Sequence, residues 1–109
     1  MLMAMFDERE RGEETKYKHD LELGFKIRNR RNKLFGLWIA QTYLGLSGDE
    51  AGAYAKEVVM ADFELPGDDD MLGKVKADLE KASQSVSDHS LQKHLKEFEA
   101  AARQQVMAE

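Results

Sequence analysis

The sequence predicts an all-α protein: a four-helix antiparallel bundle with a long first helix and a flexible N-terminal arm. Three observations carry this. Apolar residues recur at helical spacing in four blocks and nowhere alternate as a strand would. The breaks between blocks are only a few residues long, which favours antiparallel neighbours. Upstream of the first block, Asp7 to Asp20 places ten charged side chains in fourteen positions, with Tyr17 as its one large apolar residue.

That upstream stretch cannot build its own core. Fixing a residue's backbone costs about 1–2 kcal/mol, whereas burying one Tyr-sized side chain returns only about 1.5–3 kcal/mol. Residues 1–17 are therefore expected to form a detachable arm that orders on another protein's surface, and residues 18–109 the bundle. Met1 to Phe6 is apolar but has no basic leader and runs at once into Asp7-Glu8, so no export signal is visible.

The first helix runs from about Lys18 to Gly45 without a proline. One apolar stripe holds Leu23, Ile27, Leu34, Leu37, Trp38 and Leu44, and another holds Leu21, Phe25, Phe35, Ile39 and Tyr43. A helix apolar on most sides belongs in the middle of a bundle, but its first half also carries Lys26, Arg28, Arg30, Arg31 and Lys33, which must meet water or acidic groups. At 1.5 Å per residue, roughly 28 residues reach about 42 Å against about 24 Å for the second helix, so the first half overhangs its partner.

Ser47 with Glu50 fits a capping box for the second helix, which runs to about Glu64 and is expected to bury Ala51, Tyr54, Ala55, Val58, Val59 and Phe63. Leu65-Pro66-Gly67 contains the only proline and marks a turn. Asp68 caps the third helix, to about Ala82, with Leu72, Val75 and Leu79 inward, and Ser83 to Ser85 break it. Ser87 caps the fourth, spaced by Leu91, Leu95, Phe98, Ala102 and Val106. Gly24, Gly36 and Gly73 sit inside helical patterns, where close helix packing is the expected reason.

Composition excludes several functions. With no cysteine, disulfides and thiolate metal sites are absent, and a reducing, cytoplasmic setting is permitted. A net charge of −5 argues against a general nucleic-acid binder. No stretch approaches the roughly 18 apolar residues of a membrane span, so direct membrane insertion is not expected.

No catalytic set can be assembled, and the chain is not expected to be an enzyme. Asp68-Asp69-Asp70 lacks the ligand spacing of a calcium loop and is explained by charge at a helix start. His89 and His94 lie five apart and do not share a helical face, and Ser87-Asp88-His89 is accounted for as a cap; no metal or obligatory cofactor is expected. His19, where arm meets body, is the candidate pH-sensitive hinge, although an ordinary exposed histidine is the plainer account. Arg28, Arg30, Arg31 and Lys33 are candidate contacts for a nucleotide, as weak ATP or ADP binding, or for an acidic partner, because arginine offers a planar fork to both. Plain solvation of that face weighs equally.

Phe6-Asp7-Glu8-Arg9-Glu10-Arg11, then Glu14, Lys16, Tyr17 and His19-Asp20, followed by FKIRNRRNKLFGLWIA from Phe25 to Ala40, resemble the zeta subunit family of alphaproteobacterial F-type ATP synthases. Ala53 to Val59, Ala61 to Glu64 and Val86 to His89 are similar to further blocks of that family. The resemblance implies a four-helix bundle whose mobile N-terminal segment inhibits ATP hydrolysis. It implies that the arm enters an alpha/beta subunit interface near the gamma shaft, folds there as a helix and blocks rotation, while the bundle is too bulky to follow. Alpha, beta and gamma would be the partners, the free protein would be monomeric, and the site would be cytoplasmic, peripheral to the inner membrane through the synthase.

Carried over, the contacts are Phe6, Arg9, Glu10, Arg11, Glu14, Lys16 and Tyr17, with arginines pairing to acidic walls and the two aromatics as apolar anchors. The family pattern continues Arg-Glu-Arg with a small and then an aromatic residue, whereas Gly12 and Glu13 stand here, which is expected to weaken inhibition. Two alternatives stand beside this reading: a nucleotide-binding sensor bundle, and a non-inhibitory assembly or structural subunit of the same synthase.

Overall fold

A computed structural model describes the backbone of residues 2–63 and 67–109, and the side chains of 18–63 and 67–109. It contains four helices, α1 (Leu2–Thr42), α2 (Gly48–Ala61), α3 (Asp69–Lys81) and α4 (Asp88–Ala108), and no strand among the described residues. Successive helices run antiparallel. Gly36 of α1 meets Ala55 and Val58 of α2, Tyr54 of α2 reaches Asp78 of α3, and Trp38 of α1 stacks on His94 of α4.

α1 is the central element, packed on α2 and on α4. It spans 41 residues, about 62 Å at 1.5 Å per residue, which accounts for the long axis of 69 Å against 25 and 22 Å across. Its backbone is helical from Leu2 rather than from Lys18. Glu, Arg and Lys are good helix formers, and a helix already seeded by a packed body extends without the cost of a new nucleus.

The core closes around Phe35, Ile39, Val58, Met71, Val75 and Leu91, all fully buried. Trp38, Tyr43 and Phe98 are half-buried against it, with Trp38 within 6.0 Å of both Phe35 and Phe98, ring centre to ring centre. A second, smaller cluster lies about the middle of α1, where Ile27, Ala102 and Val106 pack with Leu23 and Leu34. The end of α4 thus covers part of the α1 overhang, on the Leu23/Ile27 stripe.

Several local expectations change in the structure. From the second stripe of α1, Leu21 and Phe25 are exposed, as is Phe63 at the end of α2, and Val59 is only half-buried. α2 ends at Ala61, before the Glu64 expected. Leu65 and Pro66, assigned to the turn, and Glu64 lie outside the described residues.

Ser47 takes the extended N-cap backbone of α2, but its side chain makes no capping bond. Asp68 precedes α3 and makes none either, because its carboxylate faces Arg31 at 2.7 Å. Ser87 caps α4 as expected, its hydroxyl accepting from the Ser90 amide at 3.1 Å. Only Gly36 among the three internal glycines is close-packed, since a Cβ at Gly24 or Gly73 would meet nothing within 4 Å. Gly45 turns the chain out of α1 with φ +67°, a conformation that suits glycine, and the Leu46 amide returns to the Ala40 carbonyl at 3.0 Å.

Candidate interaction site at the arm-bearing end of the bundle

Arg28 and Arg31 lie one turn apart on α1 and converge on the segment joining α2 to α3. Arg28 forks onto the Asp62 carboxylate, through Nε to Oδ2 and Nη2 to Oδ1 at 2.8 Å, and Nη2 also donates to the Gly67 carbonyl at 3.0 Å. Asn32, fully buried, donates to the same carboxylate at 2.9 Å and accepts from Arg31 Nε at 3.1 Å. Arg31, itself buried, continues to Asp68 and stands 3.7 Å from Glu99 of α4. One polar network therefore ties α1, the α2–α3 junction and α4 together. Among the described residues no buried side-chain polar atom lacks a partner.

The network fixes the charge states. Burial alone would raise the Asp62 pKa, but the bonds from Arg28 and Asn32 and the nearby positive charge outweigh it, holding the carboxyl below its ordinary range. The hydrogen bond to Asp62 pushes Arg28 up. The bonds from Arg28 and Arg31 join the α2–α3 junction to α1 at Asp62, Gly67 and Asp68. On the other side of α2, burial and the neighbouring Asp78 push the Tyr54 phenol up, keeping it a neutral donor to that carboxylate at 3.0 Å.

The basic run accordingly divides. Arg28 and Arg31 are held by internal carboxylates, and Arg30 reaches α4 through Gln105 at 3.0 Å and through Glu109. Lys33 is exposed and lines a groove of about 890 Å³ between α1 and α2, together with Lys26, Asn29, Arg30, Lys56 and Phe63. His19 is exposed on α1. The arm residues Phe6, Arg9, Glu10, Arg11, Glu14, Lys16 and Tyr17 lie outside the residues whose side chains are described, although their backbone belongs to α1.

The partners of the arginines, Asn32, Asp62 and Glu99, carry no signal in the sequence, and Asp68, expected there only to cap α3, serves Arg31 instead. The Asp62 and Asp68 acceptors lie 34 and 37 positions from Arg28 and Arg31, beyond any helical spacing rule. The Phe25–Phe63 surface pair, with ring centres 5.4 Å apart, was missed for the same reason. Only the apolar character of each residue was visible locally.

Among the described residues no helix is long and apolar enough to cross a membrane. A search of curated proteins found no match to the chain. The family profile for ATPase inhibitor subunit zeta matches residues 3–105, spanning the arm, all four helices and the arginine network. The match covers nearly the whole chain, and the protein therefore belongs to the ATPase inhibitor subunit zeta family.

Proposed function

We propose that the chain restrains ATP hydrolysis by an F-type ATP synthase, with residues 1–17 as the inserted element and residues 18–109 as the stop. The arm enters between an alpha and a beta subunit beside gamma and holds the rotor against turning in the hydrolytic direction. The observation that carries this reading is the continuity of α1, one helix from Leu2 to Thr42. An arm joined to the bundle without a turn transmits load along its axis, and a body 25 by 22 Å across resists being drawn in after it. Phe6, Arg9, Glu10, Arg11, Glu14, Lys16 and Tyr17 make the contacts, and the protein sits on the cytoplasmic face of the membrane through the synthase.

Deleting residues 1–17 tests this. The truncated chain should keep the helical signal and melting transition of its bundle and lose inhibition of purified catalytic head. Inhibition equal to that of the full chain would reject the reading. Unchanged hydrolysis by both chains despite stable co-purification would instead identify a non-inhibitory structural subunit, for which Gly12 and Glu13 are the motive.

A nucleotide-responsive bundle is the second reading, favoured by the groove in which Arg30 and Lys33 stand with Lys26 and Lys56. Arg28 and Arg31 face other acceptors. ATP or ADP at millimolar concentration should then shift the amide resonances around Arg30 and Lys33, and an unchanged spectrum rejects the idea.

A further inference from the structure

Leu21 and Phe25 on α1 and Met60 and Phe63 on and just after α2 are large apolar side chains left exposed, and of these Phe25 and Phe63 meet across the two helices. Phe25 and Phe63 remain 54% and 49% exposed although their rings touch. An exposed aromatic pair of this kind on a small protein marks a contact surface more often than a single stray leucine does. Leu21 and Phe25 also continue the four-residue spacing that begins at Tyr17, so the pair adjoins the arm.

Phe63 is at the same time a wall of the α1/α2 groove, whose lining brings four cations, Lys26, Arg30, Lys33 and Lys56, against two carboxylates, Asp49 and Glu109. Glu109 is already engaged by Arg30. Among the described residues none of the three lysines is in an ion pair, whereas Lys74 and Lys76 each have an acidic partner. In a chain of net charge −5, this face inverts the overall sign. Its floor is low, built partly from Gly52 and Ala53, which lets a second backbone come close.

We propose that the α1/α2 groove is a second docking surface for the synthase, occupied by an acidic segment of the catalytic head that places an apolar side chain against Phe25 and Phe63 and its carboxylates toward Lys26, Lys33 and Lys56. This rests on the proposed function, since the arm's insertion is what would bring the head to this end of the bundle. The lysines are rim charges and act mainly on encounter, drawing the acidic surface in at low salt. The aromatic pair acts on residence.

Binding of full-length chain to purified catalytic head, followed by surface-immobilised kinetics at 50 and 200 mM salt, tests the proposal. The K26E/K33E/K56E variant should bind at least tenfold more weakly, mainly through a slower association rate, and should show a smaller salt dependence than the native chain, the remainder belonging to the charged arm. The milder K26Q/K33Q/K56Q variant should fall between it and the native chain, which guards against misfolding of the charge-reversed protein. Phe63→Ser, at an exposed position, should speed dissociation several-fold with an unchanged melting temperature.

Native affinity and salt dependence in the glutamine and glutamate variants would overturn the proposal, as would lysine variants that abolish nucleotide-induced resonance shifts while binding the head normally. A Phe6→Ala/Tyr17→Ala chain separates the two readings. If it still inhibits fully, the arm reading fails; if it loses inhibition while the groove variants inhibit and bind as the native chain does, only the groove is wrong.

Discussion

Gly36 faces the backbone of Ala55 so closely that a Cβ at position 36 would stand 2.8 Å from the Ala55 Cα and 3.2 Å from the Val58 side chain. The neighbour is main chain rather than the flexible end of a side chain, so it cannot move aside without shifting α2. Gly36→Ala should therefore destabilise the protein by about 1–2 kcal/mol, overpacking outweighing the gain in helix propensity. Gly24→Ala, in open space, should stabilise by about 0.5–1 kcal/mol. Urea unfolding of the two variants beside the native chain measures both, and a Gly36→Ala chain as stable as the native one or more so would refute the close approach.

The Asp62 network predicts a pH dependence. The folded pKa of Asp62 is depressed, while an unfolded aspartate titrates near 3.9, so the unfolded chain binds more protons between the two values and stability rises with pH there. The contribution is complete above the unfolded pKa and is lost as pH falls through the folded one. Asp62→Asn should be about 1–2 kcal/mol less stable near neutrality, a cost held down because the Arg28 side chain stays 40% exposed. The gap between variant and native should narrow progressively below pH 4. A gap independent of pH would mean that the Asp62 charge contributes nothing.

Ser83 closes α3 in a left-handed conformation, φ +58°. The Gln84 amide returns to the Leu79 carbonyl at 2.8 Å and the Ser83 amide to Glu80 at 3.0 Å, the paired bonds of a Schellman closure. A residue with a Cβ costs roughly 1–2 kcal/mol in that conformation, which glycine avoids at some cost in chain entropy. Ser83→Gly should raise stability by about 0.5–1 kcal/mol, equivalent to a melting-temperature increase of several degrees. An unchanged or lowered melting temperature would show that the strain is relieved elsewhere.

On the proposed function, potency should respond to Gly12, a weak helix former, and to Glu13, which stands where the resemblance implies an aromatic residue. In a helix, Glu13 lies seven residues after Phe6 and four before Tyr17, on the same face as both. Gly12→Ala removes about 1 kcal/mol of helix penalty, and Glu13→Tyr supplies an aromatic anchor worth about 2 kcal/mol where it is a hot spot. The double variant should inhibit hydrolysis at a concentration at least tenfold lower than the native chain. An inhibition titration checks this, and weaker inhibition would remove the explanation based on these two residues.

The four helices and, apart from the start of α1, their approximate ends were legible in the sequence because period, breakers and the Ser87 cap act over a few residues, and backbone hydrogen bonding in a helix is local. The blocks from Phe6 to Ala40 and from Ala53 to Glu64 carried the family resemblance for the related reason that long contiguous motifs need no structure to be read. The tertiary structure decided everything that depends on which helix faces which at a separation of thirty to forty residues. It assigned Asp68 to Arg31 instead of to its own helix terminus, reserved close packing for Gly36, and left Phe25 and Phe63 half exposed against each other. It also divided the basic run into arginines engaged by acceptors on other elements and lysines turned outward. A side chain's periodicity states that it is apolar or charged on one face, but only the crossing of two helices supplies, or withholds, the surface that face requires.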